Sequence, residues 1–181
     1  MHEFLVWLGR TPWSAALLES LYVWPLLESM HVLTIALFVG TAAVNDLRLL
    51  GIGFQRVPVS EVTGQLLRWT RGSFVVMAVT GLLVFYSNPV HYYHNIFFRI
   101  KMLLLLIAGL NIWLFHGRIH RRVNEWQHDA VPPWSARIAG AISLLAWAGI
   151  VVTGRLIAYN WFDCDQPPQP AFINWLAACI Q

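Results

Sequence analysis

The chain has little charge. Asp, Glu, Lys and Arg make up 12% of its 181 residues, and the only lysine is Lys101. A soluble domain carries about 25% charged residues, so a chain this poor in charge and 57% hydrophobic does not read as one. Cysteine is scarce as well: Cys164 and Cys179, both near the C-terminus, with no CxxC and no CxxCH. That speaks against a structural zinc site and against covalently attached haem. There is no phosphate loop, no HExxH and no Ser-His-Asp arrangement. The first ten residues lack the charged n-region and cleavage site of a secretory signal, so the first apolar span is expected to act as an uncleaved insertion signal. No strand-period alternation competes with the apolar runs, which sets aside a β-barrel.

Long apolar runs and aromatic residues are abundant. A membrane-spanning helix takes about 20 apolar residues, and four runs approach that length: about 21–44, 72–87, 90–116 and 136–159. Trp, Phe and Tyr make up 14% of the chain and cluster near the ends of these runs, as interfacial belts do. The expected fold is all-α: a four-helix transmembrane bundle over residues 21–160. Before it, residues 1–20 form an amphipathic segment lying at the interface, with Phe4, Trp7 and Trp13. After it, residues 161–181 form a tail whose apolar stretch is too short to span.

The net charge of +3 does not point to nucleic acid, because the arginines sit between apolar runs. Arg48, Arg56, Arg68 and Arg71 lie between spans one and two, and Arg118, Arg121, Arg122 and Arg137 between spans three and four. By the positive-inside rule that side is cytoplasmic and both termini face outward. Cys164 and Cys179 then lie in an oxidising compartment, where a disulfide and two unpaired thiols are both open.

Ionisable groups inside a span are costly, and each is a functional candidate. Glu28 and His31 fall in the outer half of span one, His94 and Lys101 at the outer end of span three, and Arg155 about one turn from the outer end of span four. At about 100° per residue, His94, Lys101 and Ala108 lie within about 40° of one another on their helix. Haem requires axial imidazoles, an apolar slot and cations near its propionates. His31 and His94 on facing helices would serve as axial ligands of one haem b. Lys101 and Arg155 would meet the propionates, and Glu28, three residues before His31, would orient its ring. His116, at the opposite surface beside Arg118, Arg121 and Arg122, is either a ligand of a second, inner haem or a histidine snorkelling to the interface. Asp46 and Arg48, which close span one, read as an interface anchor and a local ion pair.

Glu28-Ser29-Met30-His31, Asn45-Asp46-Leu47-Arg48, Lys101, Asn111 to His116, and Gly154-Arg155 form a recognisable pattern. It resembles a group of small bacterial four-helix inner-membrane proteins of unknown function. The resemblance covers most of residues 20–160 and implies topology. More loosely, the design is similar to the b561-type cytochromes, which bind haem b through helix histidines and exchange electrons with quinone, although span two here has no histidine. The expected function is therefore that of an integral-membrane b-type haem protein in electron transfer. The alternatives are a small-solute or metal-ion transporter subunit, with Glu28, His31, His94 and Lys101 lining a polar path, or a structural subunit. Expected partners are the lipid bilayer, a quinone or redox protein, and further copies or subunits of a larger complex; no nucleic acid is expected.

Overall fold

A computed structural model describes residues 2–115, 117, 123–159, 161–162 and 170–177. Among these there is no strand. Helices α1 (His2–Gly9) and α2 (Pro12–Glu19) precede α3 (Val23–Leu50) and α4 (Val59–Ser87). Next come the short α5 (Pro89–His94), α6 (Ile96–Leu114) and α7 (Val123–Trp126). The chain continues with α8 (Trp134–Leu156), a 3-10 turn (Ile157–Tyr159) and α9 (Ala171–Ala177).

Helices α3, α4, α6 and α8, the last with its 3-10 turn, are long and apolar enough to cross a membrane, with mean hydropathy of 1.3 to 1.8. Their outward faces carry Leu33, Leu82, Leu106 and Leu145, exposed by 67, 68, 70 and 73%. Apolar exposure repeated on all four helices is far more than a soluble monomer leaves to water. The molecule is a multi-pass membrane protein.

Two helices extend beyond their apolar runs. Helix α3 continues to Leu50, and α4 begins at Val59, thirteen residues before its apolar run at about 72. Hydropathy marks only the stretch in hydrocarbon, whereas a helix continues into the polar zone wherever its backbone bonds and packing persist. The third run is not one helix. Asn95 breaks it with an extended backbone (ψ 118°), and its side chain accepts from the Phe98 amide and donates to the Ile157 carbonyl. Pro89 opens α5 as its first helical residue, and Asn88 caps it by accepting from the His91 amide.

Helix α3 packs along α4 on one side and α8 on the other, and α8 packs along α6. Helices α4 and α6 do not pack along one another. They meet at the end of the bundle near α1, α2 and α9, where Phe85 stacks on Phe98 with 5.5 Å between ring centroids. The mid-depth core comprises Phe38, Met77, Ala108, Ala146, Trp147 and Ile150, with Phe38 edge-on to Trp147 at 4.6 Å.

Each end has its own fastening. At the terminal end, the Ser14 hydroxyl, fully buried, bonds to the carbonyls of Tyr86 and Ser87, and Thr11 meets the Tyr86 hydroxyl at 2.6 Å. The N-terminal segment is thus bolted to the end of α4. Helix α9 is held through its last carbonyls: Arg99 donates to Leu176 O at 2.7 Å, and His94 Nδ1 lies 3.2 Å from Ala177 O.

At the loop end the fastener is Arg48. It is fully buried and donates to the carbonyls of Val57 (2.8 Å), Gln127 (3.3 Å) and Asp129 (3.0 Å), tying two loops to α3. Gly51 ends α3 in the left-handed region, φ 74°, with its amide on Arg48 O. Arg48 therefore serves as a clamp on loop carbonyls, and no ion pair joins it to Asp46. Replacing Arg48 with Met keeps the stem but strands three carbonyls. The variant is expected to lose about 2–4 kcal/mol of stability, since bonds to a charged donor and buried acceptors are lost together. Chemical denaturation in mild detergent reads this directly, and an unchanged midpoint would mean that the clamp contributes nothing.

Candidate functional site

His31 lies eight residues into α3, about 12 Å along its axis. Its imidazole points into the bundle toward α4. Nδ1 is 2.9 Å from Thr80 Oγ1, which also lies within hydrogen-bond distance of Val76 O (2.7 Å) and Met77 O (3.1 Å). With the Thr80 hydrogen on either helix carbonyl, Thr80 accepts from Nδ1–H and Nε2 is the unprotonated nitrogen; with that hydrogen on Nδ1 the roles reverse. The ring fits because residue 81 is glycine: a Cβ there would lie 2.9 Å from His31 Cε1.

Lys101 joins this group from α6. It is half-buried and is the charged side chain acting on the His31 imidazole. Its ammonium also approaches Gly154 on α8, where a Cβ would lie 3.6 Å from Nζ. Among the described residues no carboxylate pairs with Lys101. Two basic groups thus lie inside the bundle toward its terminal end, each with room made by a glycine on a neighbouring helix.

The other candidates lie apart from this pair. His94 sits on α5, where its ring packs against His2 (5.7 Å) and Tyr93 (5.3 Å) and its Nδ1 faces Ala177 O. No hydrogen bond or ring contact joins it to His31. Glu28 is exposed and is turned toward Tyr92 on α5. Burial first, and the Glu28 carboxylate second, push the Tyr92 hydroxyl up to about 12. Arg155 is exposed at the end of α8, where its guanidinium donates to the Tyr159 hydroxyl at 3.3 Å and lies 5.3 Å from the centre of that ring. His116, Cys164 and Cys179 lie outside the described residues. Among the described residues no three His, Cys, Asp or Glu side chains gather as a metal cluster.

Thr80 and Gly81 escape detection in the sequence because span two carries no histidine and no charge in its apolar stretch. A threonine followed by glycine in mid-span is their only trace.

A second feature lies toward the loop end. A cavity of about 200 Å³ opens where α4 and α6 stand apart, and Asp46 and Trp147 are among its walls. It is separated from His31 by the Phe38, Met77 and Ile150 core.

A protein family described as of unknown function, DUF6644, matches residues 13–160. No curated protein and no solved structure matches the chain at a significant level.

Proposed function

The chain belongs to that family of unknown function, and we propose that it is an integral-membrane b-type haem protein that transfers electrons, with His31 as an axial ligand. The contact of His31 Nδ1 with Thr80 carries the reading. Ligating histidines characteristically give their second ring N–H to an outer partner, which fixes the ring and leaves the other nitrogen free to bind metal. Thr80 Oγ1, 2.9 Å from Nδ1, is placed to take the His31 proton in this way. When bound, haem supplies a one-electron iron couple whose potential is set by axial ligands and burial.

On this reading His31 would take one axial position and Lys101 would face one propionate. Lys101, without a carboxylate partner among the described residues, gains its counter-charge from such a group, since a buried unpaired cation is otherwise costly. Gly81 and Gly154 leave room for the His31 ring and the Lys101 side chain. His94 reaches the second axial position only by leaving Ala177 O, and His116 is the other histidine to test. Arg155, at the helix end, meets the aqueous side of the site.

On the same reading the protein belongs in a bacterial inner membrane with both termini outward, as a homo-oligomer or a subunit of a larger complex, exchanging electrons with a quinone or a redox protein. The arginines flanking the loop end support that orientation. In a background lacking Cys164 and Cys179, Gln55→Cys is expected to react with impermeant maleimide only after the inner membrane is opened. Labelling in intact spheroplasts would reverse the topology.

A further inference from the structure

The cavity at the loop end holds a carboxylate with no positive partner among the described residues. Asp46 is 5% exposed, and its Oδ2 makes no hydrogen bond. Neither nearby arginine bonds to it, although Arg48 Nη1 and Arg137 Nε are themselves buried without a hydrogen-bond partner. Arg48 is held by three loop carbonyls, and the Arg137 guanidinium lies 5.4 Å from the Trp134 ring centroid. Ser143 is the side chain that reaches the Asp46 carboxyl. A carboxyl left this way inside a membrane bundle either takes up a proton or faces a positive group.

The remaining walls narrow the identity of that group. A bare metal ion needs a shell of oxygens, and several of the oxygens here already bond within the bundle. Thr41 donates to Leu37 O or Phe38 O and accepts from Thr70, and Asn45 Oδ1 accepts from Thr63. Apart from Asn111 and Ser143, the rest of the lining is aromatic and aliphatic, including Phe38, Trp147, Leu66 and Leu67. Aromatic faces beside one carboxylate suit a weakly hydrated organic cation, which gains from ring quadrupoles as well as from the charge. A cavity of about 200 Å³ is smaller than the roughly 300–1,000 Å³ of a drug-sized site. The gap between α4 and α6 gives an apolar body a way in.

We propose that this cavity binds a small organic monocation, an ammonium group on an apolar body, with Asp46 as its counter-ion. The site is independent of His31 and does not rest on the haem reading.

Benzyltrimethylammonium is a suitable probe, titrated by calorimetry into the full-length protein in dodecyl maltoside. Binding to the wild-type chain is expected, weakened about tenfold or more in Asp46→Asn and restored in part by Asp46→Glu. Phe38→Leu, which keeps an apolar wall but removes a ring, is expected to weaken it several-fold, and it serves as the test if Asp46→Asn does not fold. His31→Ala is expected to leave the affinity unchanged even if it removes every haem signal. The proposal is overturned if the wild-type chain does not bind the probe, or if Asp46→Asn and Phe38→Leu bind it as tightly as wild type. It is equally overturned if the uncharged isostere neopentylbenzene binds as well, or if sodium chloride at the probe's concentration displaces it.

Discussion

His31→Ala is expected to abolish the low-spin b-type spectrum of protein purified from haem-replete cells. The substitution removes the only histidine within the apolar body of a span among the described residues, and a water in its place cannot supply a strong ligand field. A loss of this kind has a structural explanation as well as a ligand one, so Thr80→Val separates them. Valine preserves the shape of threonine and removes the oxygen that lies 2.9 Å from Nδ1. The imidazole is then free to take the other tautomer, with the proton on Nε2, where it blocks ligation. Loss of such an outer partner typically costs about 10–100-fold in metal affinity, so Thr80→Val is expected to retain fold and melting temperature but to lose haem on dilution. Gly81→Ala should act similarly, because its Cβ would sit 2.9 Å from the ring. His128, exposed near the loop end, is the indifferent control, and His94→Ala asks whether that histidine holds the opposite face. Full haem content and an unchanged spectrum in His31→Ala would end the assignment, and a colourless wild-type preparation would end the haem reading itself.

The four spans were legible because burial in lipid imposes one rule on every residue of a span, and hydropathy reads that rule directly. The helix ends were not, because beyond the hydrocarbon zone the backbone continues under local packing. The Val59–Arg71 part of α4, with Glu61, Arg68 and Arg71, looks like a loop to any measure of apolarity. At the site, sequence spacing brought out Glu28, His31, His94, Lys101 and Arg155 as polar groups of similar depth. It could not say which way each side chain turns, and the Asn95 break sends His94 to the cap while Lys101 enters the bundle. Arg48 was misread for a related reason: the sequence places Asp46 two residues away, but residues two apart on a helix do not share a face. Its real partners are carbonyls, which no side-chain motif records.

Gly140→Leu is expected to be the most damaging single change in the packing, costing more than about 3 kcal/mol and in practice preventing recovery of folded protein. A Cβ at 140 would lie 3.0 Å from Asp46 O and 3.1 Å from Leu49 Cβ, so the obstacle is the backbone of α3 and cannot rotate away. Adding a full isobutyl group forces α8 off α3, the central contact of the bundle, and strains the Arg48 clamp and the cavity together. Gly140→Ala is the graded version, with an expected cost of about 1–3 kcal/mol. Gly109 supplies the internal control: a Cβ there would meet nothing within 4 Å, and the residue faces outward. Gly109→Leu is expected to be neutral or to stabilise by up to about 1 kcal/mol through helix propensity. Thermal aggregation in detergent, compared across the three variants, measures the order. A Gly140→Leu protein as stable as Gly109→Leu would mean that α3 and α8 do not pack at this point.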